Sequence, residues 1–292
     1  MTKLKNKVDF VAVLAVTNAN PNGDPLFGNR PRTDYAGIGE ISDVCIKRKL
    51  RNRIQDVKTN DEGIPENRYE IFVQSDDHKR TDTFKSMKSR TDAFRKKKED
   101  PEEFTKRAFE KWFDVRAFGQ TFAFGGEDSI SEGVRGPVTI HMARSVSPVE
   151  IVSMQITRCI NGAETKDGKR ANDTMGMKHF VRFGLYLLKG SINVQLAEKT
   201  GFSYEDAQVV KECLRTLFEN DASSARPEGS MEVVKLYWFE HNSAAGQYSS
   251  AKVHRSVKVT QKDPMGMPTS ADDYEITFQE LPGLTPEIID GL

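Results

Sequence analysis

The chain has 292 residues, 37% hydrophobic and 29% charged, the composition of an ordinary soluble globular protein with enough length to bury a sizeable core in one large or two small domains. No run of about 18 apolar residues is present, which excludes a transmembrane helix. The apolar stretch Phe10–Val16 behind the basic N-terminus is too short to read as a secretory signal, so no membrane association is expected. Net charge is zero only by cancellation: residues 201–292 hold 8 Lys and Arg against 15 Asp and Glu, a balance of −7, so residues 1–200 carry +7. A basic part can hold a polyanion, and an acidic part can meet a neighbouring copy.

In chain order, Val8–Val16 predicts a largely buried strand. The turn cluster Asn18-Ala19-Asn20-Pro21-Asn22-Gly23-Asp24-Pro25 ends it. Ser42 caps a helix whose apolar positions Ile46, Leu50, Ile54 and Val57 recur at helical spacing, leaving Lys47, Arg48 and Arg51 to face outward. Residues 59–110 are highly charged and carry few apolar residues (Phe84, Met87, Phe94, Phe104), the pattern of a small helical insertion. The core resumes at Trp112. A glycine-rich loop (Gly125, Gly126, Gly133, Gly136) then leads to strands near 138–146 and 149–160.

Residues 161–173 hold almost no apolar side chain and connect to a strand over 178–188, which predicts a long protruding hairpin. A helix opening at Ser203 presents Ala207, Val210, Leu214 and Leu217 on one face, and 231–239 is the closing strand. The order β-α, insertion, β-β, α-β fits an α+β fold of ferredoxin-like βαββαβ plan.

Asn18, Asn20 and Asn22 ahead of Gly23 imitate the start of a calcium loop. Asn29 stands where that loop needs its glutamate, and Pro21 and Pro25 interrupt it, so calcium is rejected. Gly162, Gly168, Lys169 and Arg170 imitate a P-loop with the wrong spacing and no hydroxyl for magnesium. Cys45, Cys159 and Cys213 lie too far apart for a thiolate cluster and fit a reducing cytoplasm, and the five histidines show no metal spacing. No cofactor and no metal are expected.

Three constellations fit phosphate binding instead. Asn20 and Asn22 offer short side chains in a rigid turn beside Arg30 and Arg32. Lys47, Arg48 and Arg51 form a cationic helix face. Lys166, Lys169, Arg170 and Lys178 make a basic finger in which Met175 or Met177 could act as an apolar wedge. The plain alternatives are a structural turn, a solvated helix face and a solvated hairpin tip.

The strand with Asn20-Pro21-Asn22-Gly23-Asp24-Pro25, the helix from Asp43 to Asn52, Asp114-Val115-Arg116-Ala117-Phe118-Gly119 and Gly133-Val134-Arg135-Gly136-Pro137-Val138 resemble the backbone subunit of type I-C CRISPR Cascade. That subunit is a member of the Cas-seven family of repeat-associated RNA-binding proteins. The likeness spans about residues 7–280.

It implies an RRM-like palm (1–58, 111–157 and 179–292), helical fingers (59–110) and a thumb hairpin (158–178). It also implies that copies polymerise head to tail along CRISPR RNA, whose exposed bases pair with target DNA. Other Cascade subunits, of the Cas-five, Cas-eight and small-subunit types, would be partners. By the same resemblance Arg116 and Arg135 join Arg30, Arg32, Lys47, Arg48 and Arg51 as palm contacts. No aromatic RNP motif is present, which favours holding the backbone over reading bases.

The expected function is therefore a non-catalytic guide-RNA scaffold. Two alternatives remain open: an RNA endonuclease using Asp24 as an acid in the palm loop, as in type III backbone subunits, and a sequence-specific RRM-type RNA binder.

Overall fold

In the computed structural model, which describes residues 1–78, 82–123, 131–157 and 175–292, the N-terminal apolar run is a 12-residue strand, β1 (Val8–Ala19). It leads through a short hairpin, β2 (Gly23–Asp24) and β3 (Arg30–Pro31), to β4 (Ile38–Ile41) and helix α1 (Asp43–Val57). Helices α2 (Met87–Phe94), α3 (Pro101–Lys111) and α4 (Phe113–Phe118) precede a second hairpin, β5 (Gly119–Ala123) and β6 (Ser131–Arg135). Strands β7 (Val138–Ile140), β8 (Ala143–Pro148), β9 (Ile151–Thr157) and β10 (Met175–Ile192) follow. The chain ends with α5 (Val194–Thr200), α6 (Tyr204–Arg215), β11 (Met231–Glu240), α7 (Ser250–Ser256), β12 (Val257–Gln261), β13 (Tyr274–Phe278) and β14 (Glu287–Asp290).

Strands β14, β11, β1, β10, β8 and β4 lie side by side in that order in one 8-stranded antiparallel sheet, with β7 and β9 also paired to β10. The result is an α+β chain built on a large antiparallel sheet. β1 is central and covered on both faces, which is why it reads as an unbroken apolar run. Its Phe10, Ala12, Leu14 and Val16 pack beneath Ile46, Leu50 and Ile54 of α1 and Val210 and Leu214 of α6. Val11, Val13 and Ala15 face the other way, against Val253, Val257 and Tyr274. Truncating a side chain as enclosed as Phe10 costs about 3–5 kcal/mol.

Both helix starts follow the sequence reading. Ser42 Oγ accepts the Cys45 N–H at 3.3 Å, and Ser203 and Asp206 form a reciprocal capping box on α6.

The structure adds three things. The charged stretch around residues 59–110 shares a separate aromatic cluster, in which Phe72 and Phe104 pack with Trp112 and Phe122, with Phe94 against them. Its composition hid this because two of the rings come from beyond it. β11 is not the sheet edge, since the short β14 pairs with it. And two histidines are buried: His241 donates through Nε2 to Asp9 at 2.9 Å while its Nδ1 accepts the Gln247 N–H, and His254 donates to the Gly190 carbonyl.

Part of the glycine-rich loop lies outside the described residues. Within them, Gly119 adopts φ 80°, and a Cβ at Gly136 would collide with the Ala117 carbonyl oxygen, so these two glycines serve a close backbone crossing. No helix among the described residues is long and apolar enough to cross a membrane.

Candidate nucleic-acid interface

Where β1 ends, the chain is locked by its own polar groups. The Asn20 N–H donates to the Ala225 carbonyl at 2.9 Å, and the buried Asn20 side chain donates to the Asn29 carbonyl at 2.6 Å. Asn22 Oδ1 accepts the Ser42 N–H at 2.9 Å, fixing the turn to the start of α1. Both asparagines are therefore braces of the loop. Asp24 caps the turn that follows by accepting the Leu26 N–H at 3.1 Å, and it pairs with Arg32 at 3.4 Å.

Arg30 reaches across to the β9–β10 hairpin, donating to Ser153 Oγ at 2.9 Å with His179 Nδ1 at 3.4 Å. A cleft of ≈ 430 Å³ opens at this junction, lined by Asn20, Gly28, Asn29, Met177, Lys178 and His179. Among the described residues Lys178 has no ion-pair partner, and Met175 and Met177 stand 65% and 55% exposed at the outer end of the described β9–β10 ladder.

The α1 cations are more committed than their helical positions suggest. Lys47 pairs with Asp43 at 3.0 Å. Arg48 reaches Asp221 at 3.5 Å, where it joins Arg226 at 2.9 Å and the fully enclosed Lys49 on the same carboxylate. Burial pulls the Lys49 ammonium down from the ordinary lysine value to about 8, with Asp221 opposing the shift. Arg51 does not face outward: its Nε donates to Asp114 at 2.8 Å and its guanidinium covers the Phe118 ring. Asp114 also accepts the Phe72 and Val73 N–H groups, so Arg51 completes an internal network.

Arg116 is the clearest correction. It is wholly buried, bound to both carboxylate oxygens of Asp206 at 3.0 and 2.9 Å and to the carbonyls of Phe109 and Arg68. A guanidinium so enclosed braces the core and cannot meet a phosphate at the surface. Arg135 is exposed but separate, lining a larger cleft of ≈ 700 Å³ with Lys106 and Lys199 among Glu102 and Glu132. Lys166, Lys169 and Arg170 lie outside the described residues.

The structure thus brings Asn20, Asn22, Arg30, Arg32 and Lys178 to one end of the sheet, with Met175 farther out along β10 and Arg48 adjoining through the loop that carries Ala225 and Arg226. It leaves Arg51, Arg116 and Arg135 elsewhere. Sequence reasoning passed over Ser153, His179 and Arg226. The period-two alternation of β10 was the available signal, since Met175, Met177 and His179 share a face opposite Thr157, Gln155 and Ser153. Among the described residues no three His, Cys, Asp or Glu side chains are grouped to hold a metal ion. Fixed cations beside exposed apolar side chains suit a polyanion with stackable bases.

The sequence profile of the family described as CRISPR-associated protein Cas7 matches residues 6–279. A curated CRISPR-associated protein Cas7 from Haloferax volcanii is 26% identical over 244 residues, covering 77% of this chain and 68% of the relative. Two solved chains titled as parts of a CRISPR RNA-guided surveillance complex also resemble this one. The first is 17% identical with a TM-score of 0.42, covering 80% of this chain and 68% of the other. The second, from a pre-nicking form, is 16% identical with a TM-score of 0.45, covering 80% and 75%.

Proposed function

The chain belongs to the CRISPR-associated Cas7 family, and from that premise we propose that it is a non-catalytic backbone subunit that holds CRISPR RNA in a type I-C DNA interference complex. Several copies would line up head to tail along the guide and leave its bases free to pair with target DNA. The acidic balance of residues 201–292 against the basic remainder supports such a contact. The Cas-five, Cas-eight and small-subunit types of Cascade would be its further partners.

The antiparallel order β11, β1, β10, β8 supports reading residues 1–58, 111–157 and 179–292 as a ferredoxin-like, RRM-like palm. The aromatic cluster around Phe72 and Phe104 supports helical fingers over 59–110, and the β9–β10 pairing supports a thumb hairpin over 158–178.

The observation that carries this reading is the cleft at the end of β1, where Arg30 meets His179 beside a turn locked by Asn20 and Lys178 joins the lining. Its side chains can hold a sugar-phosphate backbone without reading sequence, which leaves recognition to base pairing. The reading is tested by titrating the full chain with CRISPR RNA and with unrelated RNA of equal length across a range of salt. Comparable affinities that fall steeply with salt are expected. A strong preference among unrelated sequences would favour an RRM-type reader instead, and salt-insensitive binding would remove phosphate holding.

A further inference from the structure

The β2–β3 hairpin presents two large apolar side chains to water at the rim of the cationic cleft. Leu26 is 90% exposed and Phe27 71% exposed. A flexible turn could fold such groups back onto the protein, but this one is held. Asp24 Oδ1 accepts the Leu26 N–H, the Asp24 carbonyl accepts the Asn29 N–H at 2.8 Å, and Gly28 and Asn29 take the left-handed backbone the turn demands. A Cβ at Gly23 would strike the Asn29 side chain, so the two arms of the hairpin close directly on each other. Asn20 ties Asn29 to the end of β1, and Arg30, the next residue, is pinned to Ser153. Phe27 is therefore carried at a fixed position on the hairpin that bears Arg30 and Arg32.

We propose that Phe27, with Leu26 beside it, is a base-stacking platform on the palm, taking an unpaired base of the single strand whose phosphates Arg30 and Arg32 draw to the same edge. The inference rests on the RNA-holding reading above and adds to it a contact with the bases, at the β2–β3 turn. The surrounding charge decides the occupant. Arg30 and Arg32 stand on the hairpin, and its one acid, Asp24, is spent on Leu26 and Arg32. An aromatic face within a cationic setting accepts any base, because every base has a π-face and stacking tolerates sequence. Stacking is not electrostatic, so it must leave the salt dependence of binding untouched while changing affinity.

The test is a titration of the full chain with unstructured single-stranded RNA carrying 2-aminopurine at scattered positions, repeated at several salt concentrations. Wild type should bind and quench the probe. Phe27→Ala should bind roughly 5- to 150-fold more weakly at every salt with an unchanged slope, and should lose the quenching. Phe27→Trp should restore both. Because the side chain is exposed, the thermal melt of Phe27→Ala should match wild type, which separates a lost contact from a lost fold.

Tyr35, fully exposed on the next turn beside the Arg144-paired Asp34, is the control, and Tyr35→Ala should change affinity by less than about twofold. Wild-type binding with Phe27→Ala equal to it in affinity and quenching would overturn the platform and leave the RNA reading standing. A Phe27→Ala defect confined to RNA-free self-association would reassign the surface to a second copy of the chain. Wild type that ignores RNA even at low salt would overturn both.

Discussion

The guanidinium of Arg116 and the carboxylate of Asp206, both wholly buried, meet in a two-pronged contact at 2.9 and 3.0 Å. Asp206 is also the third residue of the capping box on α6, so one carboxylate serves the start of that helix and the end of α4. Removing either partner would leave a buried charge without its counter-charge.

Arg116→Ala should therefore destabilise the chain by about 3–5 kcal/mol in urea denaturation. Arg116→Lys should not restore the loss, since an ammonium cannot span both carboxylate oxygens while also reaching the Phe109 and Arg68 carbonyls. A fully stable Arg116→Ala protein that binds RNA with a flatter salt slope would return Arg116 to the nucleic-acid surface.

The cations at the cleft should behave differently from those held inside. Lys178→Ala and Arg32→Ala should each flatten the salt dependence of RNA binding by roughly 0.7 units per lost phosphate contact on a single strand. Arg51→Ala should cost stability through Asp114 and leave the slope in place. An Arg51→Ala slope as flat as that of Lys178→Ala would show that the internal pairing opens when RNA binds.

Lys49 makes stability depend on pH. Its folded value, pulled to about 8 by burial, lies below the ordinary 10.5. Below about pH 8 both states hold the proton and the folded state bears the cost of the enclosed charge. Between those two values the folded lysine releases the proton while the unfolded one keeps it, so the unfolded state binds more protons and stability rises with pH. Measured by denaturant unfolding, wild type should gain on Lys49→Met as the pH is raised through this window. A difference that stays flat or shrinks would place the Lys49 ammonium in a better-solvated setting than its full enclosure indicates.

Asp24 caps the turn that carries Phe27 and holds Arg32, and both are structural duties. Asp24→Ala should lower stability by about 0.5–2 kcal/mol, the usual loss for a cap, and weaken RNA binding by loosening the hairpin. Incubated with complementary RNA and magnesium, wild type and variant should give the same uncut product. Cleavage by wild type alone would make Asp24 a catalytic acid.

What the amino-acid order conveyed was whatever is local or periodic. The both-faces-apolar run of β1, the α1 stripe of Ile46, Leu50 and Ile54, and the caps at Ser42 and Ser203 follow from spacing and side-chain chemistry within a few residues. The turn at Asn20–Asp24 was legible for the same reason, as was the concentration of cations near it. The aromatic cluster was not, because Phe72, Phe104 and Phe122 are far apart in the chain and none announces the others.

Which cations remain available was decided only by the tertiary structure. On a helix wheel Lys47, Arg48 and Arg51 look alike, yet Arg48 meets Asp221 from 173 residues away and Arg51 meets Asp114 from 63 away. Arg116 looked like a surface contact until Asp206, 90 residues on, enclosed it. A charge is free or spent according to its neighbours in space, and pairing over such separations is set by how sheet and helices pack. The sequence by itself therefore determined the elements and the basic character of one end of the protein. The packing determined which of those charges, and which exposed ring, are left to meet a ligand.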